Sequence, residues 1–186
     1  MIKKPIFENK PNTEYKVGGK TIWESRSVAV VGVILAQWNK KVYTLIEKRS
    51  KNMPDSPGKW CLPCGYLDWD ETGYEALIRE FYEETSLYLP NYKNQLLFNN
   101  DEQPFFVNTD PSENRQNVSL SYITIFDFLE EKSLPLEILN FKNSEIDEIK
   151  WVELLDLIEY DFAFNHEERI VMAANLALEI FNDSGE

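Results

Sequence analysis

Between Gly65 and Leu87 the chain reads GYLDWDETGYEALIREFYEETSL, and no other stretch restricts its possible folds so tightly. Thr72 followed by Glu75 has the spacing of a capping box, in which a hydroxyl and a carboxylate satisfy free N–H groups at a helix start. A helix is therefore expected from near Gly73. At about 100° per residue, Tyr74, Leu77, Ile78, Phe81, Tyr82 and Thr85 gather on one side, an arc wide enough to bury against a sheet. Glu80, Glu83 and Glu84 fall on the other side, three and four residues apart, so their carboxylates can reach a common point beside the small Gly73 and Ala76. Clustered carboxylates repel one another, and nothing in the apolar stripe requires them. A cation that prefers hard oxygen ligands, Mg2+ or Mn2+, would offset the repulsion. For the triplet alone, the plainer alternative is a solvated acidic face with Glu80 paired to Arg79.

The rest of the chain supplies strands for that helix to cover. Ser27 to Gln37, SVAVVGVILAQ, is a continuous run rich in β-branched residues and is expected as a buried strand. Lys41 to Glu47 follows the turn Trp38-Asn39-Lys40 and should pair with it as a hairpin. Lys51 to Lys59 holds Asn, Pro, Ser and Gly and reads as a loop. Gln95 to Val107 and Asn117 to Leu129 are expected as further strands, joined by the polar stretch Asn108 to Gln116, and Ile149 to Val152 as a short last one. Asn165 with Glu168 marks a final helix, whose apolar stripe is Ile170, Val171, Ala174, Ala177, Leu178 and Phe181. This order suggests an α/β fold: a mixed sheet with one helix on each face.

A length of 186 residues with 43% hydrophobic content suits one domain, expected over residues 1–186 with 1–25 as an N-terminal extension and the core at 27–180. The net charge of -13 opposes binding to nucleic-acid polymers or anionic membranes. No run approaches the ~18 apolar residues of a membrane span, and a cytoplasmic protein is expected. Cys61 and Cys64 have the spacing of a redox pair or half a zinc site. There is no third cysteine and His166 is the sole histidine, so packing and loop roles are expected for both thiols. His166 is read as a capping or packing residue, and one histidine gives a triad mechanism little support.

Gly65, Glu71, Arg79, Glu80, Phe81, Glu83, Glu84 and Leu87 also fall in the register G-x5-E-x7-R-E-U-x-E-E-x-G-U, with U aliphatic or aromatic. The segment thus resembles the Nudix box. Ser86 departs from the family glycine, and Cys64 stands where a Gly-Gly pair usually begins. Glu47-Lys48-Arg49, Gly58-Lys59-Trp60-Cys61-Leu62-Pro63 and Glu148-Ile149-Lys150-Trp151-Val152 are similar to the segments that flank the box, so the likeness covers roughly residues 27–180. It implies a Nudix-type α/β/α sandwich with a mixed central sheet. It also implies Mg2+-dependent hydrolysis of a nucleoside diphosphate linked to another moiety (ADP-ribose-like, a dinucleotide or a nucleoside triphosphate), with Mn2+ able to substitute.

By resemblance, Glu80 and Glu84 would be the principal metal ligands, with Glu83 sharing metal or water, while Glu71 and Arg79 organise the loop and the carboxylates. The general base would come from the box or from a separate loop. Glu145 is the candidate outside the box, with Glu102 and Glu113 behind it; the other reading of Glu145, Asp147 and Glu148 is a solvated acidic turn. Asp110 to Gln116 is similar to a loop of ADP-ribose pyrophosphatase-like members, which makes Arg115 a phosphate contact or an ordinary loop residue. Arg49 is a phosphate contact or a surface ion-pair partner. The implied partner is a small-molecule nucleotide, and a homodimer is possible by resemblance. A nucleotide-binding sensor that does not cleave, and an interaction module with an acidic face, are the alternatives to the hydrolase.

Overall fold

Val28–Trp38 forms the central strand of an eight-stranded mixed sheet, and its unbroken apolar run follows from burial on both faces. The structure is a computed structural model that describes residues 10–112, 116–135 and 145–183, with side chains described as far as Glu179. In chain order the elements are β1 (Thr13–Val17), β2 (Lys20–Glu24), β3 (Val28–Trp38), β4 (Lys41–Arg49), β5 (Trp60–Cys61), β6 (Cys64–Tyr66), α1 (Gly73–Thr85), β7 (Leu96–Asn99), β8 (Phe106–Asn108), β9 (Val118–Asp127), β10 (Ile146–Glu153) and α2 (His166–Asp183). The main sheet runs β10-β4-β3-β9-β7, with β5 paired to β4, β6 to β3 and β8 to β9. Only β3 and β9 lie parallel, in register from Val28↔Val118 to Gln37↔Asp127. The β3–β4 hairpin turns through Asn39 and Lys40, both at positive φ (48° and 62°), as a two-residue hairpin loop requires.

Alternation along β3 sorts the core into two layers. Val31, Val33 and Leu35 join Ile46, Ile123 and Ile125 against Ile170, Ala173 and Ala177 of α2. On the opposite face Val30 packs with Ala76 and Leu77, and Ile34 and Ala36 with Leu45, Phe126 and Phe81. The result is the expected α/β/α sandwich. Gly32 allows α1 to come this close, since a Cβ there would overlap Leu77 Cδ1. Truncating Leu77 or Phe81 in so dense a layer costs about 2–5 kcal/mol.

Three expectations need correction. The single strand expected over 95–107 is two, β7 and β8, both on β9. Residues 101–104 bulge out between Asn100 N–H, which donates to Ile123 O, and Phe105 N–H, which donates to Ser121 O; Pro104 has no N–H to give to the ladder. The last strand is longer than 149–152, because Ile146 and Glu148 already pair with Arg49 and Lys48. Within the N-terminal extension, β1 and β2 form a separate hairpin that turns at Gly18 and Gly19. The alternation Thr13-Glu14-Tyr15-Lys16-Val17 before Gly18-Gly19 is a hairpin signal that the reading of 1–25 as a plain extension passed over, and its side chains are largely exposed.

Candidate active site

The capping box forms as the sequence suggests: Glu75 N–H donates to Thr72 Oγ1 (3.3 Å) and Thr72 N–H donates to Glu75 Oε2 (2.8 Å). The helix ends at Ser86, which takes the left-handed conformation (φ 62°) that the family reserves for glycine. Arg79, between these ends, is a hub. Its Nε and Nη2 clamp both Glu71 oxygens (3.1 and 2.7 Å), Nη2 also reaches the Tyr66 carbonyl (3.0 Å), and Nη1 meets Glu80 (2.7 Å) and Glu83 (3.3 Å). Glu71 in turn accepts the Asp68 N–H at 2.8 Å, so loop and helix are tied through one guanidinium. Arg79 holds the Glu71 carboxyl below the usual carboxylate range.

The three box carboxylates do not converge here. Glu80 and Glu83 lean on Arg79, whereas Glu84 turns inward, is 8% exposed and accepts the Cys64 N–H at 3.0 Å. Among the described residues no group of three or more His, Cys, Asp and Glu side chains is arranged to hold one ion. Arg79 takes the Glu80 and Glu83 carboxylates, and the Cys64 N–H takes Glu84. Burial pushes the Glu80 carboxyl up despite that arginine, and burial with the neighbouring Glu47 pushes Glu84 well up. A Cβ at Gly65 would meet the Glu80 carboxylate, so a larger residue there would push that side chain aside.

Glu47 is a component that sequence reading missed. The alternation that puts Leu45 under Phe81 also aims Glu47 at the α1 face, where it is fully buried beside Glu84. Its oxygens are buried against the Glu84 carboxyl, and burial, then Cys64, pushes its own carboxyl well up. A carboxylate at an inward position of an otherwise apolar strand is the signal that could have found it. Cys61, opposite Glu47 in the β4–β5 register, is a buried free thiol; contact with Cys64, then burial, pushes it up.

Next to the carboxylates lies a cleft of about 160 Å³ whose wall includes Arg49, Cys64, Gly65, Tyr66, Glu145 and His166. Arg49 is buried rather than paired at the surface: its Nε donates to the Asp55 carbonyl (3.0 Å) and its guanidinium stacks 4.9 Å from the Phe164 ring centroid. Phe164 and Asn165 both have positive φ (59° and 54°), a sparsely populated backbone that delivers the ring to Arg49. Glu145 reaches the cleft because its carbonyl anchors the Ser50 N–H (2.7 Å) at the end of β4. Glu102 is exposed and outside the cleft wall, and Arg115 and Glu113 lie outside the described residues. No helix among the described residues is long and apolar enough to cross a membrane.

A family model described as NUDIX domain matches residues 26–173. No curated protein matches the chain. Among solved structures, the NUDIX domain of Shewanella oneidensis NrtR complexed with ADP ribose has a TM-score of 0.56 at 19% identity, over 83% of this chain and 90% of that one. A C. elegans Ap4A hydrolase binary complex has a TM-score of 0.56 at 20% identity, over 84% of this chain and 98% of that one. A bifunctional NMN adenylyltransferase/ADP ribose pyrophosphatase from Francisella tularensis, complexed with AMP and a Mn ion, reaches 0.59 at 25% identity, over 81% of this chain and 42% of that one. The chain belongs to the Nudix family.

Proposed function

We propose that the chain hydrolyses the pyrophosphate bond of a nucleoside diphosphate linked to another moiety, ADP-ribose or a dinucleotide foremost, with Mg2+ or Mn2+ held by Glu80, Glu83 and Glu84. The observation that carries this reading is the surplus of negative charge at the box. Arg79 is shared among Glu71, Glu80 and Glu83, Glu84 and Glu47 are buried without a cation, and burial raises the carboxyls of Glu80 and Glu84. Hard oxygen donors with uncompensated charge fit a divalent cation. Such an ion supplies positive charge to phosphoryl oxygens and acidifies water.

The chain's own residues do the rest. Arg79 and Glu71 hold the loop against α1 and keep Glu80 and Glu83 close together. Arg49, fixed by Asp55 and Phe164, offers its remaining N–H groups to a phosphate, and Arg115 is a second phosphate contact. Glu145, in the same cleft, is the candidate base for the attacking water. A cleft of this size covers one moiety of a two-part substrate, and the other would lie along the open side toward Tyr66. The substrate class takes support from the ADP ribose and Ap4A named for the structural relatives.

One observation favours a second reading, a nucleotide-binding sensor that does not cleave: the box carboxylates are splayed onto Arg79 and Cys64 N–H. The test is release of AMP or phosphate from ADP-ribose, NADH, diadenosine polyphosphates, nucleotide sugars and nucleoside triphosphates with Mg2+ or Mn2+, beside Glu84→Gln. Turnover of one substrate, lost in the variant, is the expected result. Binding without turnover across the whole panel would replace the hydrolase with the sensor.

A further inference from the structure

His166 is the chain's one histidine, and it sits in the cleft wall at the first turn of α2. Its Nδ1 accepts the Leu62 N–H at 2.9 Å. A backbone N–H can only donate, so Nδ1 must offer its lone pair, and in the neutral ring the proton is confined to Nε2. The Nδ1 edge faces the Leu62 backbone, which leaves the Nε2 edge for the cleft. A donor turned to the cleft is placed to meet an acceptor on a bound ligand.

We propose that His166 is a substrate-binding residue whose Nε2–H is a fixed, neutral donor to a phosphoryl oxygen held beside Arg49. The surroundings keep the ring neutral. Burial first, then the guanidiniums of Arg169 and Arg49, push its pKa down to about 3. Arg169, 6% exposed, is itself fixed by stacking 3.9 Å from the Phe106 ring centroid. The other ionisable groups of the cleft wall are Asp55, Cys64, Tyr66 and Glu145. A third positive charge beside two arginines is excluded, yet a directional N–H remains. The imidazole therefore binds and orients without exchanging protons with the substrate. Its Nδ1 contact also couples the acceptor's position to Leu62, three residues before Gly65 of the box.

This inference takes the identity of the acceptor from the hydrolase reading, whereas the state of the imidazole is independent of it. The test is a long-range proton–nitrogen NMR spectrum of the full chain labelled with 15N-histidine, in which a single imidazole is seen. Expected on the free protein is the Nε2–H tautomer, unchanged from about pH 5 to about pH 9. ADP-ribose added in EDTA should then move the Nε2–H resonance. An Nδ1–H tautomer, or titration near the ordinary value of 6.5, would overturn the proposal whatever the activity. So would an unmoved Nε2–H signal in a sample where tryptophan fluorescence reports bound ADP-ribose.

Turnover gives a second readout. His166→Asn keeps an acceptor for Leu62 and a donor for the cleft, and its KM should stay within about threefold of wild type. His166→Phe should raise KM about tenfold with kcat little changed, the size of one lost hydrogen bond. Equal KM values for the two variants would count against the donor role.

Discussion

Arg79 and Glu47 show how single residues set the character of this site. Arg79 makes five hydrogen bonds with four partners, and its planar fork is what allows Glu71 to be gripped at two points while Tyr66, Glu80 and Glu83 are held as well. Lysine cannot reproduce that fork. Arg79→Lys should therefore lower kcat/KM by roughly tenfold to a hundredfold, since charge-assisted bonds contribute about 1.5–3 kcal/mol each, while far-UV circular dichroism stays the same. An unchanged kcat/KM would remove Arg79 from the machinery.

Glu47 is buried, and its carboxyl sits well above the usual value of 4.5. The folded state thus holds the proton more tightly than the unfolded chain does, so stability is present below the unfolded value and is lost as pH rises through the folded one. Glu47→Gln mimics the protonated form. Without metal, its Tm should match wild type near pH 5 and exceed it increasingly toward pH 8. A constant difference across that range would mean that folded and unfolded chains bind this proton equally, so that the Glu47 carboxyl is not raised. The orientation of such side chains was the part of the site least legible in sequence: the spacing of Glu80, Glu83 and Glu84 placed them on one helix face, but what each turns toward depends on Arg79, on the Cys64 N–H and on Glu47 from another element.

At the scale of elements, legibility followed local chemistry. The start of α1 was readable from Thr72 and Glu75 because a cap is satisfied within four residues, and β3 was readable because burial on both faces demands an unbroken apolar run. The break between β7 and β8 was not, since both segments are apolar and the interruption is set by how residues 101–104 bulge away from β9. The end of α1 carries a cost that can be measured. Ser86 is held at φ 62°, where glycine is at ease, so Ser86→Gly should stabilise the fold by about 1 kcal/mol in urea unfolding and leave kcat/KM unchanged. Conversely, Thr72→Ala should destabilise by about 1 kcal/mol through loss of the N-cap. If Ser86→Gly were destabilising, the serine would be making contacts at this turn that outweigh its backbone cost.

For the whole molecule, one sandwich brings three independent supports to a single edge: α1 with its carboxylates, the end of β4 with Glu47 and Arg49, and the turn into α2 with Phe164 and His166. The sequence likeness pointed to the first and to Arg49. His166 was read only as a capping or packing residue, because its partner Leu62 is 104 residues away and the two meet only once α2 has docked on the sheet. The surplus negative charge of the site is in keeping with the chain's -13, and a bound divalent cation should relieve it locally. The most direct measurement is a Mn2+ titration followed by electron paramagnetic resonance, with wild type beside Glu84→Gln. The account predicts that wild type removes the free Mn2+ signal at low concentration and that the variant binds at least tenfold more weakly, the scale of one lost charged ligand. Equal binding by the two proteins, or none by either, would contradict a cation site built on the box.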